Sequence, residues 1–570
     1  MNSLTLIIIA LIWFYLGYRF YGSYIERKLV KPDDSKPTPA VALNDNVDYS
    51  PAKTSFLWGH HFASIAGAGP IIGPILAVSY FGWGITALWI TIGSVFMGAV
   101  HDYLSLMLSV RNKGQGIAEV AGISIGNRTR VVFAILIWLT LVFIITVFAA
   151  SGAKALVAYP ELVIPTFGMC IVAIGLGLAV YRFKMSSKLA SIIAIAVVYV
   201  LIWVGFNHPL SLPEWLAPTE KAAINWMMTI LFIYCAIASV LPVWFLLQPR
   251  DFLSSVNLFV GLALGVLGVI IVHPVMNAPF HIGGFMSGNK PIWPLLFIIV
   301  ACGAISGFHT MVATGTTSKQ LARESCGKVI GFGGMIMEGV LAFLVVIVVS
   351  AGLMWGTAPA GATSAQAGLY FQTALGESWI LAFGNGFGNI VGEIGIPGLT
   401  AAFAGLLGAT MVKTFVMTSL DTSTRLGRFV FVETFAKKIP FLKNRLIATM
   451  VVIVPAFLLA VTNTYSNIWR MFGASNQLIA AIALITISAY LAGKRKPTVF
   501  TFIPAVLMSI TTIAALLWGA FNPKTGYLVG EFSITLGIIS ILLIAMAAVI
   551  AYDGMRALIA YRKKSKTMAV

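Results

Sequence analysis

The sequence predicts an all-α polytopic membrane protein of about fifteen transmembrane helices, with a five-plus-five inverted-repeat core and discontinuous helices. Three observations predict it. The 570-residue chain is 59% hydrophobic and only 10% charged, where soluble domains carry about 25% charged residues. Apolar runs of about 20 residues, enough to cross a bilayer, recur along its length. One of these runs is broken at its centre by Gly67, Gly69, Pro70, Gly73 and Pro74.

The runs that qualify are 4–24, 56–81, 84–109, 131–151, 162–181, 188–206, 224–247, 252–273, 292–316, 332–355, 398–419, 446–463, 467–492, 499–521 and 532–555. The first has no preceding basic residue and no small-residue cleavage site, so it reads as a retained span rather than a signal peptide. Residues 31–55, rich in Pro, Asp and Lys, read as a cytoplasmic linker. The segment 378–396 is semi-apolar and glycine-rich, and reads as an external interfacial or re-entrant piece within 356–397.

The formal charge is +18. In a soluble protein this would suggest nucleic acid. Here Lys and Arg cluster in alternate short loops, as at Arg27/Lys28/Lys31, Arg111/Lys113, Lys319/Arg323/Lys328, Lys437/Lys438/Lys443 and Arg562/Lys563/Lys564/Lys566. That is the positive-inside pattern, so no nucleic acid is needed. It puts the N-terminus outside and the C-terminus in the cytoplasm. The four cysteines form no CxxC or Cys/His spacing, so neither a disulfide framework nor a metal site is expected.

The broken run 56–81 is the first functional signal. Proline removes a donor and clashes with the preceding turn, and irregular backbone at membrane depth must face protein or a water-filled cavity. A second half-helix starting near Pro70 would aim its positive end and its free N–H groups inward, which suits a small carboxylate. Five spans later, 224–247 carries Tyr234-Cys-Ala-Ile-Ala-Ser-Val-Leu-Pro242 in the opposite orientation. Read as a second interruption, it makes 56–206 and 224–420 two inverted halves. The span 1–30 precedes them, a basic loop 421–445 follows, and 446–570 supplies further spans. The blander reading of Pro242 is a kink.

Candidate substrate-binding residues are then His60, His61, Gly67, Ala68, Gly69, Pro70, Ile71, Tyr234, Ser239, Ser306, His309 and Thr310. His61, Asp102, Thr314 and Thr317 are candidates for proton or ion coupling. Intramembrane ionisable groups are costly and functional by default. Adjacent His60 and His61 diverge by about 100° on a helix, so only one can face a cavity. Asp102 is either a proton relay or a structural strut. The hydroxyls near His309 either bind substrate and cation or merely let helices pack closely. Glu338 and Lys413 are single charges without a partner visible in sequence. Asp421 and Arg425 read as a local i, i+4 ion pair that doubles as a gate strut. Phe472-Gly-Ala-Ser-Asn-Gln477 interrupts the thirteenth run outside the core and reads as a packing or oligomer contact.

Together these stretches resemble the carbon starvation protein A family of bacterial inner-membrane transporters. The residues that carry the resemblance are Gly59-His-His-Phe-Ala with Gly67-Ala-Gly-Pro, Ala238-Ser-Val-Leu-Pro-Val-Trp-Phe-Leu-Leu-Gln-Pro-Arg-Asp251, and Gly303-Ala-Ile-Ser-Gly-Phe-His-Thr310 with Gly315-Thr-Thr-Ser-Lys-Gln320. Ser419-Leu-Asp-Thr-Ser-Thr-Arg425 and Phe472-Gly-Ala-Ser-Asn-Gln-Leu478 complete it in the expected order. The resemblance implies secondary transport of short peptides or pyruvate in carbon starvation, and a fold similar to the amino acid–polyamine–organocation superfamily. The expected function is import of such a solute across the cytoplasmic membrane, without a cofactor. The coupling ion expected is H+, with Na+ as the alternative. An enzyme is not expected, for want of a nucleophile–base set, an HExxH motif or a phosphate loop. A sensor would need a soluble output domain.

Overall fold

In a computed structural model the chain is described over residues 2–45, 49–242, 244–288, 290–435, 439–462, 465–530 and 533–567. Val243, Lys437 and Lys438 lie outside the described residues, as do the side chains from Arg562 onward. The elements that position the site are α1 (Ser3–Val30), α2 (Thr54–Ile65), α3 (Gly69–Phe81), α4 (Trp83–Arg111), α5 (Asn127–Ala158), α6 (Pro160–Arg182), α7 (Ser187–Asn207), α8 (Glu220–Val240) and α9 (Leu247–Val272). They continue with α10 (Ile292–Ile299), α11 (Gly307–Gly315), α12 (Glu324–Ala351), α13 (Trp379–Gly392), α14 (Ala401–Phe435), α15 (Arg445–Thr462), α16 (Tyr465–Gly493), α17 (Val499–Phe521) and α18 (Ile534–Thr567). The protein is an all-α polytopic membrane protein. Among the described residues, thirteen helices are long and apolar enough to cross a bilayer, or fourteen if the bent pair α2–α3 is one span. The interrupted segment 292–315 lies apart from these, as two short helices of 8 and 9 residues.

The loops sort onto two faces. On one face the linker meets three basic loops. Ser50 N–H donates to Lys319 O, Tyr49 hydroxyl to Lys113 O, Arg111 to Glu324 at 2.8 Å, and Lys496 to Leu29 O. On the opposite face Ser3 N–H donates to Pro274 O and Trp83 N–H to Pro279 O. The basic loops at Lys31, Arg111/Lys113, Lys319 and Lys496 therefore lie on one face. The turn between α3 and α4 requires a glycine. Gly82 sits at φ 90°, and a Cβ there would fall 2.7 Å from Phe280 O.

Helix α13 adds no crossing. Its 14 residues reach about 21 Å, short of the ~30 Å hydrocarbon core. Its C-terminal end is tied to the face opposite the linker, where Asn389 donates to Gly352 O at 2.8 Å and Gly392 abuts Ala401.

The core lies where α4, α5, α12, α14 and α16 surround the interrupted segments. In α12 and α14, 94% and 83% of the most apolar stretch is buried, against 28% in α7 and 28% in α15. The first set is enclosed by protein and the second faces lipid.

Candidate functional site

Two helix breaks meet at the centre of the bundle. The first separates α2 from α3 at Ala66–Ala68 with a bend of 42°. Pro70 lies in the first turn of α3, where its missing donor costs nothing. The second runs from Val300 to Ser306, between α10 and α11. The two interrupted segments are antiparallel, since Ile282 N–H donates to Phe81 O at one end and Ala52 N–H to Gln320 O at the other. They approach backbone to backbone. A Cβ on Gly73 would lie 2.6 Å from Ile299 O, one on Gly69 would strike Cys302, and one on Gly303 would lie 3.8 Å from Pro70 Cα. Residues 66–74 and 300–306 are all buried, so this is a closed conformation at the level of the breaks.

The partner of the first break is thus 300–306, not 234–242. Helix α8 is unbroken to Val240, and Leu241 and Pro242 come after its end. Tyr234 and Ser239 leave the substrate set accordingly. Ser239 shares a hydrogen bond of 3.2 Å with Thr449, on the α8–α15 contact.

Beside the second break lies a line of buried acid and imidazole groups. His309 Nδ1 is 2.7 Å from Asp102 Oδ2, and His101 Nδ1 is 2.7 Å from Asp102 Oδ1. His309 Nε2 is 3.0 Å from Glu338 Oε2, but out of hydrogen-bond alignment, so both Glu338 oxygens lack a bonded partner. His101 Nε2 meets Thr310 Oγ1 at 2.8 Å, which in turn meets Ser105 Oγ at 2.6 Å. All four ionisable residues, His101, Asp102, His309 and Glu338, are fully buried. Glu338, single in sequence, faces His309 of α11 at ion-pair distance. A line of two carboxylates and two imidazoles can hold and pass protons among neighbouring atoms without exposing a bare charge to lipid.

The two adjacent histidines diverge as a helix requires. His61 is buried, with Nδ1 2.9 Å from Thr317 Oγ1 and Nε2 without a partner. His60 is partly exposed and points to Asp251, 3.7 Å away. Thr314 accepts from Ile117 N–H at 3.2 Å and donates to Thr310 O at 2.8 Å.

A second charged cluster joins α8, α9 and α14. Asp421 Oδ2 accepts from Arg250 and from the Tyr234 hydroxyl, the latter at 2.8 Å, and Arg250 Nη2 reaches Asp251 Oδ1 at 2.5 Å. Asp421 therefore pairs across the bundle with Arg250, in place of the local pair with Arg425 expected from spacing. Arg425 reaches Leu241 O at 3.4 Å. Lys413 donates to Gly152 O at 3.0 Å.

Sequence reasoning missed Asn476 and Gln477. Helix α16 is continuous, so Phe472–Gln477 is no interruption, and it packs directly on the second break. Asn476 Oδ1 accepts the Phe308 N–H at 2.8 Å and caps α11 from outside its own chain segment. Its Nδ2 donates to Ser306 Oγ at 3.0 Å and lies 3.3 Å from Cys302. Gln477 Nε2 donates to Phe297 O at 3.1 Å, near the end of α10. Two adjacent amides thus satisfy both edges of the break.

Comparison with known proteins finds relatives along nearly the whole chain. A profile of the family described as carbon starvation protein CstA matches residues 2–515. The chain is similar to the peptide transporter CstA of Bacillus subtilis, 31% identical over 96% of each chain. It is similar to the peptide transporter CstA of Helicobacter pylori (strain 26695), 33% identical over 90% of this chain and 82% of that one. It is also similar to the pyruvate/proton symporter BtsT of Escherichia coli, 31% identical over 90% of this chain and 81% of that one.

Proposed function

The chain belongs to the carbon starvation protein CstA family and is a multi-pass membrane transporter, and from that premise we propose that it is a proton-coupled importer of a small carboxylate such as pyruvate, or of a short peptide. The observation that carries this reading is the buried line Glu338–His309–Asp102–His101 beside the second break. Substrate lies between the breaks, against the first turn of α3 and residues 302–306. Protons load on Glu338 and His309 while the cavity is open to one side and leave when it opens to the other. Proton binding changes the charge next to the substrate, so the two solutes cross together.

Sodium coupling through Thr314 and Thr317 is the weaker alternative. Both hydroxyls are already engaged, Thr314 by Ile117 and Thr310 and Thr317 by His61. The two interrupted segments belong to opposite halves of the five-plus-five repeat 56–206 and 224–420, and the face carrying the linker and the basic loops is cytoplasmic, in the inner membrane of a bacterium.

Reconstituted protein in liposomes tests the proposal. Pyruvate or dialanine uptake should accelerate and become accumulative under an inward proton gradient, and remain unaffected by a sodium gradient at constant pH. Uptake that follows sodium alone overturns proton coupling, and no uptake of either solute overturns the substrate class.

A further inference from the structure

Ser419 carries a hydroxyl that the fold leaves unused. It is buried in the middle of α14, 1% exposed, and its Oγ has no hydrogen-bond partner. On this helix Thr410 and Ser423 share that lack, whereas three threonines satisfy themselves. Thr414 donates to Met411 O, Thr418 to Thr414 O and Thr424 to Leu420 O, each within 2.9 Å. A serine in a membrane helix can satisfy itself in the same way, and an orphaned buried hydroxyl costs free energy. Ser419 instead faces the first break, where a Cβ on Gly67 would strike its Oγ and lie 3.8 Å from the Phe148 ring. Phe148 stacks edge-on against Phe472, with ring centres 5.9 Å apart. The hydroxyl thus faces Gly67, beside the Phe148 ring.

The two inward helix starts differ. At the second break, α11 is capped by Asn476 Oδ1. At the first, α3 starts at Ala68–Gly69 with no side-chain cap. Of the two, the first start alone has no side-chain cap, and Ser419 places an O–H donor near it.

We propose that Ser419 is a substrate-binding residue, donating its hydroxyl to a substrate carboxylate seated on the first turn of α3. The inference rests on the carboxylate reading above. It also orients the substrate. The carboxylate points to Ser419 and Gly67.

Kinetics in proteoliposomes test it, with pyruvate and dialanine as probes. Replacing Ser419→Ala should raise KM for the transported probe about tenfold or more, the usual weight of a hydrogen bond to a charged group. The maximal rate should stay within about twofold of the parent. Thermal stability should be unchanged or higher, since the variant removes an unsatisfied group. That last readout separates binding from structure, because a serine that held the fold would be missed on unfolding. Ser419→Cys, a weaker donor, should fall between the two. An unchanged KM in Ser419→Ala, when the parent transports the probe, overturns the assignment, as does a shift in cation dependence without a change in KM. Failure of the parent to transport either probe counts against the carboxylate reading instead, so the two failures are distinguishable.

Discussion

His309 is the group through which proton coupling stands or falls. It touches both buried carboxylates, Asp102 at 2.7 Å through Nδ1 and Glu338 at 3.0 Å through Nε2. Only an imidazole presents two nitrogens that exchange one proton between opposite acids. Glutamine at this place fills similar space and can keep one bond to Asp102, but it carries no proton. His309→Gln should therefore cut the line without emptying it. Its structural cost is the lost charge-assisted bond, roughly 1.5–3 kcal/mol, which a thermal unfolding curve checks separately. The functional magnitude follows from the gradient. One proton moving down one pH unit releases about 1.4 kcal/mol, enough for about tenfold accumulation. The assay imposes a one-unit gradient, acid outside, on liposomes and reads internal pyruvate at steady state. The parent should reach about tenfold accumulation at one proton per substrate, and His309→Gln should stop at equilibration. Exchange of internal for external pyruvate, which needs no net proton movement, should persist in the variant. Full accumulation by His309→Gln would refute the relay, and loss of exchange together with accumulation would mean that the residue serves the fold or the binding site instead.

Asp421→Asn leaves Arg250 charged and buried with Asp251 and Tyr234 alone. Breaking a buried pair costs about 3–5 kcal/mol, so unfolding should shift strongly, and adding Arg250→Met should restore much of the loss. Gly73→Ala should cost about 1–3 kcal/mol through overpacking and reduce transport, because its Cβ would press on Ile299 O at 2.6 Å and spread the breaks; normal uptake would show that the breaks need not touch. The linker should respond to acid. The Ser35 hydroxyl and then Lys36 draw the Asp33 carboxyl down to about 2, and the Ser325 hydroxyl and N–H hold Asp34 low across to the 324–326 turn. A folded value below the unfolded one means the tether is complete above the ordinary carboxylate range and is lost as pH falls toward 2. Hydrogen exchange at Ser35 and Ser325, corrected for intrinsic rates, should lose protection across that window, and pH-independent protection would refute it.

The apolar spans were legible because each rests on a local property. An apolar run long enough to span is visible by itself, and so is a basic loop. The first break was legible for the same reason. Gly67, Gly69, Pro70 and Pro74 cannot all lie in a straight helix, and α2–α3 bends where they stand. The segment 378–396 stood out by its glycine content, and its helix α13 has 14 residues.

What sequence hid was pairing over distance. The 234–242 stretch looked interrupted because Pro242 ends a long apolar run, yet proline just past a helix terminus is ordinary termination. The true second break lies in a run that reads as one 25-residue span, where Gly303 and Gly307 flank Ser306. Its backbone groups can stay unwound only because Asn476 and Gln477, about 170 residues later, supply partners for Phe308 N–H and Phe297 O. The same blindness applied to Glu338 and Asp421. A single buried charge points to a partner without naming it, and i, i+4 spacing offered Arg425 for Asp421 although Arg250 takes that place from another helix. The two breaks are consequently unlike. The second is braced by α16 at both edges, while the first is held by the Gly67 to Ile65 backbone bond and by contacts of its flanks, His61 with Thr317 and His60 with Asp251. A segment tied so lightly opens at lower cost than one capped on both sides, so access from the basic face should come by movement of α2 about Ala66–Ala68 while α10 and α11 stay with α16. Spin labels on α2 and α16 should then separate on addition of substrate and protons, while a pair on α11 and α16 keeps its distance; the reverse pattern would place the hinge in the second break.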